Sequence, residues 1–307
     1  MNRQGLRLSD GRHIDYLEFG DPAGVPAVYL HGTPSSGSEG AWIDRAAREH
    51  GVRIVSLDRP GYLGSDPYQG APSLLAGAED VVSVARSLGL GRFAVVGFSG
   101  GAGYALATAS LAPAQVSMVH VGGGLASLAG EGSADLSWQR RIPFKLITAA
   151  PTLSAPLLAS VFVLLRRGIE KRLHRPAEAA HWFFAGPAQG AQIAAIEAYV
   201  RGSDPEELRR ELHDYAEGTR ATRAIIGDLT AYVRPWPFQL SDLTTTVHLW
   251  HGRKDPAAPV ASAEAMARQL PNAQLHIFDK EGHFVFHTHA DEIAASIREA
   301  TRTEEPR

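Results

Sequence analysis

Ser99, Asp255 and His283 are far apart in the chain, but their types and settings could together serve nucleophilic catalysis. Ser99 lies in Gly97-Phe98-Ser99-Gly100-Gly101, a G-x-S-x-G that follows the short apolar run Arg92 to Val96 and precedes the small-residue stretch Ala102 to Ala107. Strand, sharp turn and helix form the setting in which such a serine presents its hydroxyl. Small residues at Gly97 and Gly101 let neighbouring segments pass a tight turn, and the helix that follows aims its free N–H groups and positive dipole end at the same place. An anion forming beside Ser99 would be stabilised there.

The elements that must position these side chains are readable from hydropathy. Arg12 to Phe19 alternates like a half-exposed strand and ends in the turn Asp21-Pro22-Ala23-Gly24, which predicts two early antiparallel strands. Apolar runs at Ala27 to Leu30, Arg53 to Leu57, Phe93 to Val96 and Val116 to Val121 then alternate with helix-length segments at 36–50, 72–89 and 101–111. Such alternation implies right-handed crossovers and a mostly parallel sheet. From Leu125 to about Leu240 no comparable strand appears, while helical stretches such as Ala188 to Val200 and Pro205 to Tyr215 do. Strands resume at Val247 to Trp250 and Gln274 to Phe278, each followed by a helix. The pattern reads as an α/β core, 1–124 and 241–307, interrupted by a helical insertion, 125–240. Asp255 and His283 each fall in the loop beyond a returning strand, as Ser99 does beyond its own. The crevice outside the carboxyl ends of an open parallel sheet is where such residues converge.

Composition narrows the alternatives. The chain has 307 residues, 44% hydrophobic and 21% charged, with 30 basic against 33 acidic side chains and a formal net charge of -3. That balance gives no electrostatic case for nucleic acid. The absence of cysteine excludes disulfides, thiolate nucleophiles and cysteine-ligated metals. The first residues lack the apolar core of about 7 to 15 residues that marks a secretory signal, which points to the cytoplasm. Leu146 to Leu165 carries no charge, but Pro151 and Pro156 argue against a membrane span and for a buried or pocket-lining helical hairpin. No integral membrane segment is expected, and the oligomeric state has no signature in the sequence.

With these motifs assembled, the chain resembles the α/β-hydrolase-fold serine hydrolases, of the esterase and lipase kind with a helical cap, over essentially its whole length. Besides Gly97 to Gly101, the acid loop and Gly282-His283, the resemblance rests on His31-Gly32-Thr33-Pro34 and Asp58-Arg59-Pro60-Gly61-Tyr62-Leu63-Gly64-Ser65-Asp66. It implies a mostly parallel eight-stranded sheet flanked by helices, with the insertion as a cap. It also implies a catalytic Ser99, His283 as the base that takes its proton, Asp255 orienting that imidazole, and backbone N–H groups of Gly100 and Thr33 as the oxyanion hole. Each oxyanion donor contributes about 3 to 4 kcal/mol. Asp228 and Asp279 are the alternative acids and His31 the alternative base, whereas His251 and His13 read as packing or surface histidines.

The reaction expected is hydrolysis of a medium-sized apolar carboxylic ester through an acyl-enzyme, acting on a small molecule without a cofactor. Related chemistries stay open: a proline-iminopeptidase-like aminopeptidase, a lactonase or a carbon–carbon bond hydrolase. The aminopeptidases resembled typically carry Gly-Gly-Ser-Trp-Gly, from which Phe98 and Gly100 depart. A non-catalytic ligand-binding or receptor protein on the same fold is the alternative of another class. Phe98, Trp182, Phe183 and Trp236 are the candidate substrate contacts, with Trp138, Phe184 and Phe238 as further aromatic lining. Glu206, Glu207, Glu211 and Glu217 read as a solvated helix face. His287-Thr288-His289-Ala290-Asp291 has an H-x-H-x-D pattern, but Glu292 follows it, and no metal is expected.

Overall fold

The computed structural model describes residues 2–70, 72–129, 151–185, 190–255 and 257–302. Among the described residues the strands are β1 (Gln4–Arg7), β2 (His13–Gly20), β3 (Val25–Leu30), β4 (Val52–Leu57), β5 (Phe93–Phe98), β6 (Val116–Gly122), β7 (Thr246–Gly252) and β8 (Ala273–Phe278). They form one sheet in the order β1-β2-β4-β3-β5-β6-β7-β8. β2 runs antiparallel to both β1 and β4, and every other pairing is parallel.

A parallel strand in the middle of a sheet is covered on both faces, so its sequence is apolar throughout. All six residues of β5 are buried. Phe93 and Val95 join the apolar cluster on one face, and Ala94, Val96 and Phe98 the cluster on the other, the two-residue period of a strand. The first face is covered by α2 (Leu74–Ser87), α3 (Ala102–Leu111) and α9 (Val260–Gln269), and the second by α1 (Asp44–Glu49) and α11 (Ala290–Arg302). Ser73 caps α2 through its hydroxyl, which accepts from the Leu75 N–H at 3.2 Å. The edge strand β8 is half-exposed, which explains its polar alternation.

Between β6 and β7 the described residues form α4 (Pro151–Glu170), α5 (Pro176–Ala185), α6 (Gly190–Gly202), α7 (Pro205–Gly218) and α8 (Thr222–Val233). α7 begins with Asp204 accepting from the N–H groups of Glu206 and Glu207 at 2.9 and 3.0 Å, and Pro205 sits where its missing N–H has no consequence. A short helix, α10 (Val285–Thr288), follows β8.

Two expectations need correction. Residues 151–165 form one continuous helical run rather than a hairpin of two short helices: α4 continues through Pro156. Its stripe Leu157, Val161 and Leu164 is exposed, while Phe162 on another face is buried with Tyr62 and Ile225. Residues 146–150 and Trp138 lie outside the described residues. Among the described residues no helix is long and apolar enough to cross a membrane.

Candidate active site

Ser99 follows β5 directly and takes a left-handed backbone conformation, φ 49°. A non-glycine residue there costs about 1 to 3 kcal/mol, which the surrounding structure must hold in place. The flanking glycines are required by close approach. A side-chain carbon on Gly97 would lie 2.7 Å from both the Ala105 Cβ and the Gly101 carbonyl oxygen, and one on Gly101 would lie 2.9 Å from the His31 carbonyl oxygen.

The loops beyond β7 and β8 bring Asp255 and His283 together. His283 Nδ1 lies 2.7 Å from Asp255 Oδ2. Asp255 Oδ1 accepts the N–H groups of Ala257 and Ala258 at 2.6 and 2.9 Å, so the carboxylate is gripped on both oxygens. Burial pushes the Asp255 carboxyl up, but the His283 charge and hydrogen bond, with the Ala258 N–H, outweigh it and hold it below the usual range. Burial likewise pushes His283 down, and the charge and hydrogen bond of Asp255, helped by Glu39, leave it raised. Gly123, at φ 56°, passes directly beneath the pair: a side-chain carbon there would sit 2.9 Å from both Nδ1 and Cε1 of His283.

The turn after β3 closes the other side. A side-chain carbon on Gly32 would lie 3.4 Å from Ser99 Cβ, and one on Gly100 would lie 3.1 Å from the Thr33 nitrogen, so the two expected oxyanion segments adjoin at the serine. His31 is fully engaged, with Nδ1 2.7 Å from the Gly32 carbonyl oxygen and Nε2 accepting from the Arg59 N–H at 3.1 Å. It is occupied in holding the loop. Asp279 pairs with Arg253 at the surface, and Asp228 lies in a buried cluster with Arg59, Tyr62 and Tyr104.

Phe98 packs its ring 4.8 Å from that of His283 and 5.1 Å from that of Trp42. Phe183 packs on Phe184 and Tyr215, and Phe184 in turn meets Trp42 and Phe284. Trp236 sits apart from these rings, against Tyr232 and Phe238. Trp182 is not drawn into this cluster: it is 39% exposed, with the Arg172 guanidinium 4.5 Å above its ring. His289 bonds Glu281 and Glu292, His287 meets the Tyr199 ring edge-on, and Asp291 pairs with Arg45, so the H-x-H-x-D side chains point to different partners.

Sequence reasoning missed two buried carboxylates. Glu39 accepts from the Gly32 N–H at 2.7 Å and from the Tyr215 hydroxyl at 2.7 Å, linking the turn after β3 to α7. Glu211, expected on a solvated face, is 1% exposed: Trp42 Nε1 donates to it at 2.6 Å and Tyr199 bonds its other oxygen. Burial, with the nearby charge of Glu39, raises Glu211 to about 8 against the Trp42 hydrogen bond. The available signal was its position among Leu208, Leu212 and Tyr215, spaced three or four apart on the buried face of α7.

A model of the alpha/beta hydrolase family matches residues 27–296. The chain belongs to the alpha/beta hydrolase family. Among curated relatives, a proline iminopeptidase of Neisseria meningitidis serogroup B is 26% identical, aligned over 92% of this chain and 90% of that protein. A 2-hydroxymuconate semialdehyde hydrolase of Pseudomonas putida is also 26% identical, over 89% of this chain and 86% of its own. Two solved structures share the fold. An esterase from Exiguobacterium antarcticum superposes with a TM-score of 0.67 at 20% identity, covering 97% of this chain and 99% of its own. An alpha/beta hydrolase fold protein from Nakamurella multipartita superposes with a TM-score of 0.71 at 19% identity, covering 98% and 99%.

Proposed function

We propose that the protein is a serine hydrolase that cleaves carboxylic esters of medium-sized apolar substrates through an acyl-enzyme. The observation that carries this reading is the strained Ser99 turn beyond β5 at the same carboxyl end of the parallel sheet as the 2.7 Å His283–Asp255 pair beyond β8 and β7, with the ring of Phe98, the residue before Ser99, 4.8 Å from that of His283. With Nδ1 committed to Asp255, His283 uses Nε2 to take the proton of Ser99 as Oγ attacks the acyl carbon. The oxyanion that forms is held by the N–H groups of Thr33 and Gly100. His283 returns the proton to the leaving alcohol, then activates the water that hydrolyses the acyl-enzyme. The helices of 125–240 act as a cap, and the aromatic rings of Phe98, Trp42, Phe184 and Phe284 favour an apolar acyl or alcohol group.

A second reading, an aminopeptidase acting on N-terminal residues, is favoured by the whole-chain likeness to the proline iminopeptidase. One screen separates the two. Acyl esters of graded length, lactones and aminoacyl arylamides including prolyl are offered to the wild type and to Ser99→Ala. Ester turnover that depends on Ser99 supports the first reading. Prolyl arylamide turnover exceeding ester turnover replaces it with the second, and turnover of neither class by the wild type defeats both.

A further inference from the structure

Two peptide units supply the proposed oxyanion donors, and the carbonyl oxygen of each is met by a side chain, beside the Ala102 N–H on the Ser99 oxygen and His31 Nδ1 on the Gly32 oxygen. The Thr33 N–H belongs to the Gly32–Thr33 peptide, whose oxygen accepts from Arg59 Nη2 at 2.9 Å. The Gly100 N–H belongs to the Ser99–Gly100 peptide, whose oxygen accepts from the Tyr232 hydroxyl at 3.3 Å. Neither peptide is cis, and a peptide unit is planar, so fixing the carbonyl direction fixes the opposed direction of the N–H. Each carbonyl hydrogen bond also polarises the N–H of the same unit.

Both grips trace to one face of α8. Asp228 and Tyr232 are four residues apart, on successive turns. Asp228 Oδ2 lies 2.8 Å from Arg59 Nη1 and accepts from the Thr33 hydroxyl at 2.8 Å, while Arg59 Nη2 donates to that hydroxyl at 2.7 Å. Tyr62 and Tyr104 donate to Asp228 at 2.6 and 2.7 Å, so the carboxylate has one orientation. Tyr232 also accepts from the Gly103 N–H at 2.8 Å, which ties its hydroxyl to the first turn of α3. A contact that only glued α8 to the core could end on any polar atom. These end on the carbonyls of the two peptides that carry the proposed oxyanion N–H groups.

We propose that Tyr232 and the Arg59–Asp228 pair are positioning residues that aim the two oxyanion N–H groups, which makes α8 part of the hydrolytic machinery as well as of the cover over it. The proposal rests on the serine-hydrolase reading. Its consequence is that displacement of α8 disarms the oxyanion site, so turnover is coupled to closure of the helical segment.

The test is Tyr232→Phe, which keeps the ring and removes only the hydroxyl, with Arg59→Lys as a second variant. Steady-state kinetics on an acyl ester are measured together with inhibition by a trifluoromethyl ketone, whose adduct carries the oxyanion. Tyr232→Phe is expected to lower kcat about tenfold, less than the roughly 10²- to 10³-fold loss when a donor is removed outright. KM stays within about twofold, as for an interaction made only in the transition state, and the ketone weakens by the same factor as kcat. The pH midpoint of kcat/KM does not move, because His283 is untouched. Unchanged kcat and ketone affinity, with or without a lower Tm, would overturn the proposal, as would a change confined to KM. Where Arg59→Lys fails to fold, Tyr232→Phe alone decides. A wild type with no Ser99-dependent turnover fails the hydrolase reading itself and takes this inference with it, whereas an active wild type with an unaffected Tyr232→Phe sinks only the inference.

Discussion

Asp255→Asn isolates what the carboxylate does for His283, because the structure dictates how the new amide would sit. Oδ1 of Asp255 accepts two backbone N–H groups, from Ala257 and Ala258 at 2.6 and 2.9 Å. An amide nitrogen placed there would face two donors, so the amide oxygen must take that position. The NH2 group is thereby forced to the Oδ2 position, 2.7 Å from His283 Nδ1. Facing a donor, Nδ1 becomes an acceptor, and the imidazole proton moves to Nε2, the nitrogen that should receive the Ser99 proton. The wrong tautomer costs about 10⁴-fold in kcat, or about 5.5 kcal/mol. Because the substitution is isosteric and keeps both backbone bonds, Tm should change little. Steady-state turnover of an acyl ester and the rate of fluorophosphonate inactivation should fall together. An Asp255→Asn enzyme that keeps more than about a tenth of the wild-type kcat would refute the reasoning, since no correct-tautomer majority is compatible with that amide orientation.

Three further outcomes follow from the same geometry. Gly100→Ala places a methyl 2.8 Å from Thr33 Cβ and 3.1 Å from the Thr33 nitrogen, so it must push the two proposed oxyanion segments apart; kcat/KM should drop roughly 10²- to 10³-fold and Tm should fall with the strain, and retained activity in steady-state assays would contradict it. Burial lowers the His283 proton affinity, but the charge and hydrogen bond of Asp255, with Glu39, raise it overall, so the neutral base is lost already on the alkaline side of 6.5. The pH profile of kcat/KM should therefore rise with pH to a midpoint above 6.5, lower in Asp255→Asn than in the wild type, and a wild-type midpoint at or below 6.5 counts against this assignment. Phe286, fully buried between the sheet and α11, should cost about 3 to 5 kcal/mol when replaced by alanine, read as a shift in chemical denaturation; a loss below about 1 kcal/mol would mean that the cluster around it is loosely packed.

Local periodicity and strand-end placement carried the fold. The apolar runs became the parallel strands β3 to β7, because burial on both faces favours apolar residues, while the half-exposed edge strand β8 alternates them with polar ones. The candidate site was legible where the backbone itself demanded a residue type: the glycines around Ser99 answer contacts under 3 Å, and Thr33 adjoins Gly100 as expected from the turn after β3. What escaped was side-chain traffic between distant segments. Glu39 meets Tyr215, Tyr232 meets the Ser99 carbonyl, and Asp228 meets Thr33, pairs separated by more than a hundred positions with no local pattern to announce them. Glu211 looked solvated because its neighbours Glu206 and Glu207 are exposed, and only its helical phase with Leu208 and Leu212 marks it as buried. Trp182, a candidate contact by residue type, has a position that no local pattern announces: it is partly exposed, with Arg172 over its ring.

The most direct test of the central claim is covalent capture of the nucleophile. The purified protein is treated with a fluorophosphonate, digested and read by mass spectrometry, with Ser99→Ala alongside. The account predicts a single phosphonylated peptide with the adduct on Ser99, no labelling in Ser99→Ala, and loss of ester turnover in proportion to labelling. Failure of Ser99 to label, or ester turnover that survives in Ser99→Ala, would contradict it.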